Sequence, residues 1–149
     1  MAFFNGTDLV LKVSPSDGVA DVKLMHSQTV SLSINVDTID ISTKDSSGFR
    51  DLIGGQKSFS LSADGLMDFA GVAGDTEVDE LFNQMFQPVG GAGRTAVTFT
   101  FGFDSPASGE YSYSGSGFIT SLEISGGTED APTYSVSIEG TGALVQTVA

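Results

Sequence analysis

In "TVSLSINV", Val30, Leu32, Ile34 and Val36 alternate with Ser31, Ser33 and Asn35. That period of two puts apolar side chains on one face of an extended chain and predicts a half-buried strand. The pattern recurs. "SFSLSADGL" alternates Phe59, Leu61 and Ala63 with serines and Asp64, and "AVTFTFGF" alternates Val97, Phe99, Phe101 and Phe103 with Thr98, Thr100 and Gly102. "TYSVSIEGTGAL" sets Tyr134, Val136 and Ile138 against Ser135, Ser137 and Glu139, and "DLVLKV" and "IDIS" add shorter strand candidates. In "GEYSYSGSGFITSLEIS" the apolar parity changes between Tyr111 and Tyr113 and the later Phe118, Leu122 and Ile124. One extra residue near Gly115–Gly117 would produce that change, so a glycine bulge is expected there.

Only "GDTEVDELFNQMFQPVGGAGR" reads as helix. Asp75 or Thr76 can cap it, Glu77, Asp79 and Glu80 suit its positive N-terminal end, and Val78, Leu81, Phe82, Met85 and Phe86 recur at helical spacing before Pro88 and the glycines stop it. The predicted class is mainly β: a sandwich or barrel of about six to eight antiparallel strands with one short flanking α-helix. No internal repeat or linker divides the chain, and 149 residues suit one domain, residues 1–149. A compact domain of that size buries roughly 68–70% of its unfolded surface and needs no staples.

Charge and composition narrow the function. Six Lys and Arg against nineteen Asp and Glu leave a net charge of −13, with the acids spread along the chain. Tight binding of a polyanion needs clustered cations, so a nucleic-acid-binding role is disfavoured, although DNA could pass nearby without adsorbing. The absence of cysteine excludes disulfides, thiolate zinc sites and a cysteine nucleophile. The N-terminus lacks a basic segment followed by an apolar one, and no apolar run approaches the roughly 18 residues of a membrane helix, which predicts a soluble, unprocessed chain that does not insert in a membrane.

Candidate chemistry is sparse. His26 is the sole histidine and sits outside any nucleophile-elbow context, so it reads as an exposed residue leading into a strand. The acids Asp75, Glu77, Asp79 and Glu80 lack the alternate ligand spacing, central glycine and terminal glutamate of a calcium loop; they read as first-turn helix acids, and no metal or cofactor is expected. "GGAGR" and "SGSGF" lack the lysine and the strand–loop–helix setting of a phosphate loop. With no Trp, a sugar-stacking platform would have to use Tyr111, Tyr113 or Tyr134. No enzyme site emerges.

One segment does not fit a simple β-protein. Between the strand ending "IDIS" and the strand "SFSLSADG", residues 42–56 carry Phe49, Leu52 and Ile53 beside Lys44, Asp45, Arg50 and Asp51. Such a loop either folds over its own sheet or awaits a partner.

The stretch "NVDTIDISTKDSSGFRDLIGGQKSFSLSADGL" resembles the major tail proteins, the tail-tube subunits, of long-tailed phages and gene transfer agents. In that family a "D-[VI]-[ST]-x-K/R-D-S" segment, an aromatic with a charged pair, and a "G-x-K-x-x-x-[IL]-S" strand follow in order. The closing "YSVSIEGTGAL" and the helical segment between Gly74 and Phe86 also match, so the resemblance spans roughly Gln28 to Leu144. It implies a tail-tube-like fold that forms hexameric rings, stacked into a tube through which DNA leaves the capsid. Self-association is the implied partnership, with tape-measure, tail-terminator and distal tail proteins at or inside the tube. The location implied is the virion tail, assembled in the host cytoplasm.

Under that implication Lys44, Asp45, Phe49, Arg50, Asp51, Leu52 and Ile53 form an inter-ring stacking loop, mobile before assembly and ordered on contact. The apolar members fill a pocket of the next ring while the charged ones set orientation. Residues 1–7 and 144–149 become short arms. A ring of six would carry 6 × −13 = −78 formal charges, so acids lining a channel would repel DNA. Asp64, Asp68, Asp104, Glu123 and Glu139, in or beside strands, are the lumen candidates. The competing expectations are a carbohydrate-binding or adhesin-like β-sandwich and a secretion-system tube protein, whose fold is the same.

Overall fold

A computed structural model of the chain describes residues 5–14, 22–24, 26–67, 75–76, 81–82, 85 and 96–149. A 3-10 turn, Gly6–Asp8, capped by the Asn5 side chain, leads into β1 (Leu9–Ser14). The strands β2 (Val22–Leu24), β3 (Ser27–Asp40), β4 (Leu52–Leu66), β5 (Asp75–Thr76), β6 (Val97–Phe103), β7 (Tyr111–Ser125) and β8 (Thr133–Val148) follow. They form one sheet in the order β3-β4-β8-β7-β6-β1-β2-β5. All described pairings are antiparallel except β2 with β5, which run parallel.

The helix expected from Asp75 is only partly visible. Asp75 and Thr76 pair with Lys23 and Leu24 in the sheet, while Leu81, Phe82 and Met85 are helical. Leu81 is buried in the core, as its place on the apolar stripe demands. Glu77, Asp79, Glu80 and Phe86 lie outside the described residues.

The sheet is strongly curled. β8 and β7 lie between β4 and β6, so in a flat sheet Phe59 and Phe99 would stand about 14 Å apart. Their ring centroids are 5.7 Å apart, tilted by 58°. Glycines on the intervening strands make this possible. A Cβ at Gly140 would overlap the Phe59 ring, and one at Gly115 would press on Phe99 Cζ at 3.2 Å and Phe59 Cζ at 3.4 Å. Phe59 thus crosses two strands over bare backbone. Around the pair close Leu11, Val13, Leu24, Leu61, Ala63, Val97, Tyr134, Val136 and Ile138, the inward residues of β1, β2, β4, β6 and β8. β1 comes to rest against β3, which completes the barrel-like wrap.

The parity change in β7 is real, but its position differs from the expectation. Ile119 faces Ile138 and Ser121 faces Ser137, so the extra residue is Thr120, whose hydroxyl donates to the Ser137 carbonyl at 3.2 Å. Gly117 serves packing instead: a Cβ there would meet the Glu139 carbonyl at 2.6 Å. Opposite Gly115 the irregularity falls on β8, where Gly142, at φ +76, Ala143 and Leu144 are accommodated between Thr141 and Val145. Residues 144–149, expected as an arm, extend β8 as far as Val148, and Ala149 exchanges backbone hydrogen bonds with the loop at Gly109 and Glu110.

Candidate assembly and channel surfaces

Two surfaces follow from strand parity. Because Leu61, Ala63, Val136 and Ile138 point into the core, the alternate residues of β4 and β8 point out: Ser60, Ser62 and Asp64, then Ser135, Ser137 and Glu139. Register extends this face to Ser31 and Ser33 on β3, and to Ser121 and Glu123 on β7. The outcome is a four-stranded wall, β3-β4-β8-β7, covered in hydroxyls. Some of them bond across strands, as Ser31 Oγ does with Ser62 Oγ at 2.6 Å and Ser125 Oγ with Thr133 Oγ1 at 3.0 Å.

Three of the five lumen candidates share this wall. Asp64 and Glu123 flank Ser135 from the two neighbouring strands, about 10 Å apart across two strand spacings, and Glu139 lies four residues along β8, about 13 Å away. Among the described residues no Lys or Arg joins them, and no group of acids is close enough to hold a metal ion. The wall therefore projects a dispersed negative field. Asp104 stands elsewhere, after β6, where its carboxylate bridges Lys12, at 3.5 Å, and Lys23. Lys23 first, then Lys12, holds the Asp104 carboxyl below its usual range. Asp68 lies outside the described residues.

The second surface is an arm. β3 and β4 pair directly as a hairpin from Thr29↔Asp64 out to Asp40↔Leu52, whereas β8 accompanies β4 only as far as Ser60. The connection expected over 42–56 is therefore shorter, Ile41 to Asp51, because Leu52–Gln56 belong to β4. Beyond the body, Ile34, Val36, Ile39, Leu52 and Ile53 are all exposed. By register Ile39 and Ile53 stand on the serine side, Ile34, Val36 and Leu52 on the other. Both sides of the arm thus lack cover, and the loop does not fold back over its own core.

At the tip a polar network fixes the turn. Ile41 and Asp51 are joined by backbone, Asp51 N–H donates to Ser42 Oγ at 2.8 Å, Ser46 Oγ donates to Asp51 Oδ2 at 2.9 Å, and Arg50 Nε donates to Asp40 Oδ2 at 3.1 Å. Ser42, through hydroxyl and amide, and then Arg50 hold the Asp40 carboxyl below its ordinary range. Ser47 (φ +51) and Gly48 (φ +82) turn left-handed, and Phe49 emerges at 78% exposure. Lys44 and Asp45 are exposed beside it.

The model of the phage tail tube protein family matches residues 3–146. The chain belongs to that family. It is a structural tail protein, not an enzyme. No curated protein matches it by sequence. In fold, the tube protein is similar to a subunit in the tail of an empty gene transfer agent particle refined with C6 symmetry, at 24% identity and TM-score 0.75, covering 98% of this chain and 100% of that one. A subunit of a native gene transfer agent virion gives 24% and 0.73 over the same shares. The SPP1 tail tube gives 17% and 0.68 over 97% of this chain and 79% of that one.

The remaining candidates resolve against this background. His26 is an exposed turn residue at φ 41 whose carbonyl accepts from Leu66 N–H at 3.2 Å. Tyr134 is buried in the core and so is unavailable for sugar stacking, while Tyr111 and Tyr113 line one cavity together. Two features escaped the sequence reading. One is the outer edge of β3, which pairs with no described strand although β1 lies near its first residues. The other is an apolar cavity beside β6 and β7, whose only sequence signal is the unusual density of Phe and Tyr from Phe99 to Tyr113.

Proposed function

We propose that copies of this tube protein join side by side into six-membered rings and stack into a tail tube whose inner surface is the serine wall, a conduit for DNA into the host. The observation that carries the reading is the pairing of a charged, hydroxyl-covered wall with an arm that is apolar on both sides. A 14-residue edge strand, β3, offers its backbone groups to the sheet of the next copy. The projecting arm offers exposed apolar side chains for another copy to cover. The C6 symmetry of the similar gene transfer agent tail supports six copies per ring.

Asp64, Glu123 and Glu139 then face the channel. At physiological salt the screening length is about 8 Å, so acids spaced at 10–13 Å give an almost continuous repulsive lining that DNA does not adsorb to. Lys44, Asp45, Phe49, Arg50, Asp51, Leu52 and Ile53 serve stacking. Tape-measure, tail-terminator and distal tail proteins are the further partners, and assembly takes place in the host cytoplasm before the protein resides in the virion tail.

Negative-stain microscopy of the concentrated protein tests the central reading: hollow tubes or rings are expected, and persistent monomers at every concentration would sink it. Phe49→Ala with Arg50→Ala should leave a folded chain that no longer polymerises, and tubes of normal length would contradict the stacking role. Lysine at positions 64, 123 and 139 should slow or block DNA ejection; unchanged ejection kinetics would remove the wall from the channel.

A further inference from the structure

The tip of the arm presents one aromatic knob, and the same chain carries a matching hole. Leu9, Phe101, Phe103, Ala107, Tyr111 and Tyr113 surround a cavity of about 630 Å³ at the ends of β1, β6 and β7. That volume lies in the range of sites that bury whole ligands, roughly 300–1,000 Å³, so it can take the Phe49 ring together with part of the turn that carries it. The other described cavities have different walls. The cleft between β1 and β3 mixes Leu9, Val10 and Val30 with Thr7, Ser27, Gln28 and Thr29, and the two on the serine wall are lined largely by hydroxyls and acids. Among the described cavities, the one walled by Phe101, Phe103, Tyr111 and Tyr113 offers Phe49 an aromatic seat.

Geometry and charge suit the two parts to each other. Phe49 follows a left-handed turn, its N–H donates to the Ser46 carbonyl at 2.9 Å, and the network around Asp40 and Asp51 holds the tip in place. Such a knob loses little freedom on binding. The hole is also framed: Glu110 Oε2 accepts from Ala107 N–H at 2.7 Å, and Ala149 pins Gly109 and Glu110 by backbone hydrogen bonds. Glu110 places a carboxylate at its rim. Lys44 has no ion pair among the described contacts, and Arg50 flanks the knob. In a chain of net charge −13, a cation meeting this acid offsets part of the repulsion between copies.

We propose that Phe49 of one copy seats in the Phe101–Tyr113 cavity of a second copy, with Lys44 approaching Glu110. The inference rests on the tube reading above and names the surface that receives the stacking loop. Knob and hole lie on different parts of one chain, so the contact is head-to-tail and propagates along a filament.

Two variants test it beside the wild-type chain. Ala107→Trp, on an exposed loop, plugs the hole, so far-UV circular dichroism should be unchanged while microscopy shows no filaments longer than single rings. In parallel, a small fraction of chains carrying photoreactive benzoylphenylalanine at position 49 is mixed into isotope-labelled wild-type protein, irradiated after assembly and mapped by mass spectrometry. Adducts to residues 101–113 of labelled chains are expected. Adducts elsewhere, or ordinary tubes from folded Ala107→Trp, would overturn the seat while leaving the tube reading intact. If Ala107→Trp does not fold, the cross-link map alone decides. Wild-type protein that never assembles would overturn both.

Discussion

Gly140→Ala perturbs the contact that lets the sheet curl. At an ordinary strand position the change would be mildly favourable, about 0.5–1 kcal/mol, because glycine loses more chain freedom on folding. Here the new methyl would lie inside the Phe59 ring, which is itself confined between Gly115 and Phe99 and only 7% exposed. Forcing a methyl into a filled core costs about 1–3 kcal/mol, and displacing Phe59 from Phe99 removes a further part of an aromatic contact worth about 0.5–1.5 kcal/mol. The net expectation is about 1–3 kcal/mol of destabilisation. For a domain of this length that is a fall in Tm of several degrees, at about 2–4 °C per kcal/mol. The decisive measurement is a double-mutant cycle followed by urea unfolding and circular dichroism. Phe59→Ala alone should cost about 3–5 kcal/mol. In that background Gly140→Ala should become neutral or stabilising, because the methyl then occupies part of the vacated space. Equal effects of Gly140→Ala in both backgrounds would refute the idea that Phe59 crosses β8 on bare backbone.

Other outcomes follow from the charges. Burial, and then the charge of Asp64, pushes the Tyr134 phenol well above its ordinary range. A raised folded pKa means stability present below the ordinary tyrosine value and lost as pH climbs past it, so in an ultraviolet titration one of the three tyrosines should ionise only with alkaline unfolding; three simple titrations near pH 10 would contradict this. Asp104→Asn should destabilise by about 1 kcal/mol or less, since its bridge to Lys12 and Lys23 is partly exposed, and the difference from wild type should vanish as pH falls below the carboxylate range. A larger loss in thermal unfolding would show that the bridge does more than pin β1, β2 and the β6–β7 loop. Carbon-detected NMR should find Asp40 titrating below an ordinary aspartate, with Ser42→Ala raising its midpoint more than Arg50→Ala; the reverse ranking would contradict the tip network.

Alternation along the chain placed four of the long strands and told which side of each is wet. Alternation is a property of one strand, and the half-burial it reports needs no knowledge of neighbours, so β3, β4, β6 and β8 lie where their periods place them. The outward position of Ser31, Ser60, Ser135 and their alternates was legible for the same reason. Order and curvature were not. They depend on which strands meet, and that is settled by contacts such as Phe59 reaching Phe99 over Gly140 and Gly115, residues far apart in the chain. The bulge illustrates the gap: a parity change announces an extra residue, but Gly115 and Gly117 are glycine for lack of room, and the insertion fell on Thr120, whose hydroxyl finds a carbonyl. In the same way, acidity predicted a repulsive surface without saying which acids compose it. Only the register of β4, β8 and β7 gathers Asp64, Glu123 and Glu139 on one wall and leaves Asp104 to its lysines. The apolar residues at 49, 52 and 53 raised the question of a partner from sequence alone. The hairpin answered why they have none among the described residues: β3 and β4 continue past the last described strand that flanks them.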